Sequence, residues 1–254
     1  MLLIITGCVN VNSEMPFVTI FNENIRLKDY MKTIDWALHT SKFRDIIFCE
    51  NSNYALDITE INKKAQELGK SFEYLTFLGN SKKAIEQGKG YGEGEIVDYA
   101  LTNSKLIENH QFFCKITGRL KISNIENLIR KPGNYFMNEK AKEEIDTRFY
   151  CVKKIDYNCI LRDGFLNVND NEGFFLEHVF YQELHKRKVK YRMFCERPLF
   201  EGVSGSTGRI YQDSRKKYEK LYGVVCKTNL YNSKYFWNLM QFTQKIRRKT
   251  DGTR

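Results

Sequence analysis

Apolar positions follow two rhythms along the first half of the chain. Continuous apolar runs at Leu2–Thr6, Asp45–Cys49, Phe72–Phe77 and Phe112–Ile116 suit strands buried on both faces, as in a parallel sheet. Between them, Arg26–Thr40 carries Leu27, Tyr30, Ile34 and Leu38 at helical spacing, and Glu60–Leu68 and Glu95–Ser104 also read as helices. Val18–Phe21 is a candidate short extended piece. This β-α-β-α-β-α-β order predicts an α/β fold, a parallel sheet covered by helices on both faces.

The second half changes rhythm. Phe149–Ile155 and Cys159–Leu161 read as strands around a tight turn, Phe174–His185 as a helix, and Lys190–Cys195 as strand-like. A glycine–serine loop, GVSGSTGRIY, follows at Gly202–Tyr211. No internal repeat or low-complexity linker interrupts the 254 residues, a length that can bury one large core.

Composition narrows the class. An apolar share of 42% with 14% aromatics excludes a disordered chain. No apolar run approaches the roughly 18 residues of a membrane span, and the opening MLLIITGCVNV reads as a buried strand rather than a signal peptide. The seven cysteines are scattered without a CxxC spacing, so small core residues in a reducing cytoplasm are expected, rather than zinc ribbons or a disulfide scaffold. The net charge of +10 is concentrated at one end. Residues 215–254 hold eleven Lys/Arg against Glu219 and Asp251, leaving the body nearly neutral. That distribution argues against a nucleic-acid-coating surface.

In an open parallel sheet, ligands bind beyond the carboxyl ends of the strands. Four polar segments fall there: Thr6–Asn12, Glu50–Asn53, the glycine-rich GKGYGEGE (Gly88–Glu95) opening a helix, and Thr117–Arg119. Glycines let backbone amides approach an anion at a helix N-terminus. Lys115 and Arg119 flank a strand end and can hold a diphosphate, or either can pair with Glu93 or Glu95. Glu177, with His178 beside it, lies near the start of a helix, where a carboxylate can serve as general base; a packed role is the commoner fate of such a histidine. Ser204, Gly205, Ser206 and Thr207 offer amides and hydroxyls to an anion or a sugar, or simply form a hairpin. Near the C-terminus, Phe236 and Trp237 accompany Lys245, Arg247 and Arg248 on an amphipathic pattern. That pattern suits either an anionic membrane surface or docking on the body.

Taken in order, IITGCVNVN, IIFCENS, GKGYGEGEIVDYAL, KITGRLKISN, FFLEHVFY and PLFEGVSGSTGRIY resemble bacterial GT-A-type glycosyltransferases of lipopolysaccharide and capsule assembly. The resemblance implies a GT-A-like domain over 1–230, with a Rossmann-like donor-nucleotide half (1–125) and an acceptor half (126–230), then a basic amphipathic helix over 231–254. It implies that Thr6, Gly7, Glu50 and Asn51 frame the base and ribose, and that Lys89 and Gly90 lie near the diphosphate or donor sugar. Glu177 matches the base of inverting members. Where such enzymes carry a metal-binding Asp-x-Asp, this chain reads Thr117-Gly118-Arg119, so a protein cation is expected to replace the metal and no cofactor is expected. The implied partners are a UDP-, GDP- or CMP-activated sugar, a glycan or glycolipid acceptor and an anionic membrane surface, at the inner face of the cytoplasmic membrane.

Two other readings use the same residues. A non-catalytic nucleic-acid or phosphosugar-binding module would stack bases on Tyr91, Tyr211, Phe236 and Trp237. A nucleotidyltransferase would need acidic metal ligands at the strand edge, and Asp156, Asp163 and Asp170 are expected to lie elsewhere.

Overall fold

The computed structural model describes residues 1–139, 143–205 and 207–212. Its centre is a six-stranded sheet in the order β3-β2-β1-β4-β7-β6. The parallel part comprises β1 (Leu2–Gly7), β2 (Asp45–Glu50), β3 (Ser71–Thr76) and β4 (Phe112–Thr117). β5 (Leu120–Ile122) leaves this sheet at once. β6 (Tyr135–Glu139) and β7 (Glu144–Lys153) close it with antiparallel pairing, β7 on β4 and β6 on β7. β5, β8 (Phe200–Val203) and β9 (Ile210–Gln212) form a second, three-stranded sheet. The α/β class expected from the sequence is the class observed.

Alternation along the strands explains why both faces are covered. Leu3, Ile5, Ile46 and Phe48 join the core beneath α1 (Glu23–His39) and α2 (Thr59–Glu67). Leu2, Ile4, Ile47 and Cys49 join the opposite core, with α3 (Ser81–Gln87), α4 (Lys89–Asn103) and α7 (Leu176–Lys186). Two short helical pieces, α5 (Ile125–Leu128) and α6 (Lys154–Asp156), lie between. Asn22 caps α1 through its side chain, accepting from Ile25 N at 3.1 Å.

Several expectations are corrected. Val18–Phe21 joins no ladder; its backbone is tied across instead, Thr19 N donating to Gly205 O. Tyr157–Leu161 is a π-helical turn rather than a strand. Lys190–Cys195 is also no strand: its one bridge is Arg192 to Tyr135. The helix expected over Glu95–Ser104 begins six residues earlier: α4 starts at Lys89, so the glycine-rich segment after Gly88 is itself helical. A Cβ on Gly94 would meet Phe165 Cβ at 2.1 Å, so that glycine permits close packing rather than ligand approach. Cys114 and Cys151, opposed across β4 and β7, form a disulfide where free thiols were expected, whereas Cys49 stays free and buried.

One topological fact positions the site. β1, β2, β3 and β4 end at one edge with Gly7, Glu50, Thr76 and Thr117. Because β7 runs the other way, with Phe149 opposite Ile116, its beginning meets that same edge.

Candidate functional site

A cavity of about 340 Å³ opens at this edge, lined from the ends of β1 and β4, the starts of α4, β7 and α7, and the β8–β9 hairpin. Its volume falls in the range of small-molecule sites.

One wall is cationic. The turn after β4 is made by Gly118, whose N–H donates to Thr6 O at 2.9 Å and whose Cβ, if present, would sit 2.3 Å from that oxygen. Arg119 follows with φ +69°, a left-handed conformation uncommon for a side chain of this size. Arg119 is only 6% exposed, its guanidinium lies against Gly205, and Nη1 has no hydrogen-bond partner among the described residues. Burial lowers its pKa, with Tyr30 opposing; a guanidinium stays charged at neutral pH regardless. Beside it, each nitrogen of the Arg26 guanidinium has a hydrogen bond. It donates to Cys8 O (2.7 Å), Ile20 O (3.0 Å) and the Tyr30 hydroxyl (3.1 Å), fastening the loop after β1 to α1.

The wall contributed by α4, β7 and α7 and the segment before α7 carries carboxyl groups. Glu177, in the first turn of α7, accepts from Thr147 Oγ1 at 2.8 Å. Burial, followed by the nearby charge of Glu93, pushes its pKa up to about 7. Glu93, from α4, is ion-paired with Lys115 and accepts from Thr117 Oγ1 at 3.3 Å. Lys115 is completely buried, donating also to Thr117 Oγ1 and Thr147 O, each at 2.9 Å. Asp170 caps the start of α4 by accepting from Gly90 N at 3.1 Å, so this helix terminus already carries its own anion. Arg148 is doubly hydrogen-bonded to Asp146 and lies over the rings of Phe200 and Tyr211.

Of the residues singled out in the sequence, the cavity gathers Thr6, Gly7, Asn51, Lys89, Gly90, Thr117, Gly118, Arg119, Glu177, Ser204 and Gly205. It does not gather four others. Glu50 is buried and clamps the surrounding loops, accepting from Ser52 N (2.9 Å), Tyr54 N (2.8 Å) and Thr76 Oγ1. Lys115 is enclosed by its pairing with Glu93, the alternative its sequence context allowed. His178 stacks on Phe174 and Phe175 and accepts from Phe175 N. Thr207 N donates to Ser204 Oγ, closing the β8–β9 hairpin turn. Ser206, the tail residues Phe236, Trp237, Lys245, Arg247 and Arg248, and the boundary at 230 lie outside the described residues.

Sequence reasoning gave no cavity role to Arg26, Glu93, Thr147 and Arg148, and it placed Asp170 away from the edge where it lies. Arg26 carried a signal: it stands four residues before Tyr30 on the buried face of α1. The others are brought in by long-range packing. Among the described residues, no group of three or more His, Cys, Asp or Glu is arranged to hold a metal, and no helix is long and apolar enough to cross a membrane.

No protein-family model and no curated protein matches the chain. Among solved structures, a nucleoside-diphosphate-sugar pyrophosphorylase from Vibrio cholerae RC9 aligns over 76% of this chain and 91% of its own, with TM-score 0.44 and 13% identity. HddC from Yersinia pseudotuberculosis aligns over 79% of this chain and 92% of its own, with TM-score 0.30 and 12% identity.

Proposed function

We propose that this protein is a nucleotide-sugar-dependent glycosyltransferase acting on a glycan hydroxyl. The observation that carries the reading is one cavity at the carboxyl edge of a parallel sheet with a buried, partly unpartnered guanidinium on one wall and a carboxyl group tuned to about pH 7 on the other.

The chemistry follows from that division. The donor diphosphate lies against Arg119. The acceptor oxygen attacks the anomeric carbon, and the bond from that carbon to the phosphate oxygen breaks. Its electron pair leaves on the nucleotide, where Arg119 stabilises the growing charge. Glu177 takes the hydroxyl proton, a role suited to a carboxyl whose pKa lies near the working pH. Stereochemistry inverts in this single displacement. The cation on the donor side is the protein's own, so turnover persists in EDTA. The resemblance in sequence favours a lipid-linked or surface-glycan acceptor of the lipopolysaccharide or capsule kind, with residues 231–254 holding the protein at an anionic membrane.

The test is a thermal-shift screen of nucleotides and nucleotide sugars with and without Mn²⁺, followed by turnover of the best donor. A ligand that binds the folded state raises its melting temperature according to affinity. Stabilisation by a nucleotide sugar and release of nucleotide only with a glycan acceptor support the reading. Pyrophosphate release from a nucleoside triphosphate and a sugar phosphate would replace it with nucleotidyl transfer. Loss of vesicle binding on truncation after Leu230 is the expected behaviour of the tail.

A further inference from the structure

Beside the main cavity lies a recess of about 380 Å³ that shares Lys89, Arg148, Asp170, Phe175 and Glu177 with it and adds Phe17, Glu144 and Asp146. Two features set it apart. First, it has two exposed aromatic walls: Phe17 is 50% exposed and Phe175 36%. Phe17 holds φ +58°, a left-handed backbone that a bulky L side chain rarely adopts and that, where it persists, tends to mark a functional position. Second, its four carboxyl side chains outnumber its two cations. One of those cations, Arg148, is already held by both carboxylate oxygens of Asp146. A phosphate entering here would meet surplus negative charge; hydroxyl groups would meet acceptors.

We infer that this recess is the acceptor subsite and that its occupant is an uncharged, hydroxyl-rich ring, a pyranoside, rather than a phosphate-bearing group. The inference rests on the glycosyl-transfer reading and names the substrate class of that site. Aromatic faces cover the C–H side of such a ring, and carboxylates accept from its hydroxyls. The recess reaches Glu177, so a hydroxyl of a ring seated there stands beside the proposed base. Ser204 and Gly205, on the Arg119 side of the cavity, then belong with the donor.

The experiment is saturation-transfer NMR on the full chain with neutral methyl pyranosides and, separately, with hexose 6-phosphates, repeated on Phe17→Gly and Phe175→Ala. Phe17→Gly removes the ring while easing its backbone, so folding does not confound the result. The expected outcome is transfer to one or more neutral glycosides and not to the phosphates. That transfer falls about fivefold or more in each variant, the scale of one aromatic contact. Absence of transfer to every neutral glycoside, preference for the phosphates, or indifference to both substitutions would overturn the inference. The readout needs no donor, which separates the two readings. Ring-dependent glycoside binding without nucleotide-sugar turnover upholds the recess and removes the transferase. Turnover whose acceptor KM is unmoved by either substitution upholds the transferase and removes the recess.

Discussion

The two walls of the cavity differ in how their charges are partnered. On the carboxyl side Glu93 is held by Lys115, Asp146 by Arg148, Asp170 by the start of α4 and Glu177 by Thr147, although Asp170 Oδ1 is itself buried without a partner among the described residues. On the cationic wall, each nitrogen of Arg26 donates to backbone or to Tyr30, whereas Nη1 of Arg119 is buried without a partner among the described residues. A buried polar group left unpaired costs free energy, so an incoming anion gains most at Arg119. The contrast separates a preorganised acid–base side from a side whose electrostatics a ligand completes.

The sharpest way to break this contrast is at Glu177. Glu177→Gln should lower kcat by roughly 10²–10⁴-fold, the worth of a positioned general base, with donor affinity held; single-turnover kinetics separates the two. Arg119→Ala should follow, with roughly 10²–10³-fold lost, as for removal of one donor to a developing oxyanion. This loss should be accompanied by weaker binding of the free nucleoside diphosphate. If Arg119→Ala leaves diphosphate affinity intact, the walls have been assigned the wrong way round.

Smaller effects sharpen the carboxyl side. The acidic limb of the rate profile should fall near pH 7, where Glu177 takes up its proton. Glu93→Gln removes a negative neighbour and should move that limb down by about one unit, an electrostatic coupling of ~1.4 kcal/mol. Linkage gives an independent check. The folded pKa of Glu177 stands above the ordinary glutamate value of 4.5, at about 7. The native state therefore holds more protons than the unfolded one across that window, and stability falls as pH rises through it. Glu177→Gln should accordingly melt with the parent protein at pH 4 and above it at pH 8. Smallest of all, burial raises the Asp170 pKa despite the bond from Gly90 N, so Asp170→Asn, which keeps a capping oxygen, should be at least as stable as the parent protein at neutral pH by chemical denaturation.

How much of this could be read from the sequence depended on whether a signal was local. The strands β1, β2, β3 and β4 and helices α1 and α2 were legible because their apolar runs and helical spacing repeat over whole elements. The start of α4 was not. Gly90, Gly92 and Gly94 depress helix propensity, and only long-range packing shows what they admit: Val168, Asp170 and Leu176 against Gly90, Asn51 and Ala84 near Gly92, and Phe165 against Gly94. Residues 159–161 form a short apolar run, which periodicity cannot divide between strand and helix. At the site, Arg119 and Glu177 were legible from their place after a strand and at a helix start. Asp170 was not, since its neighbours at the cavity come from distant segments, and Glu93 was legible only as one of the possible partners of Lys115. The enclosure of Lys115 was foreshadowed only as one of two alternatives.

The reversal of β7 has a consequence for how the edge is assembled. Arg119 and its supporting turn come from the first 119 residues, whereas Thr147, Arg148, Phe175 and Glu177 arrive on one later stretch that enters the edge from the opposite direction. The two segments are locked together where they meet, by the β4–β7 pairing and the Cys114–Cys151 disulfide, so a change on either is felt by both.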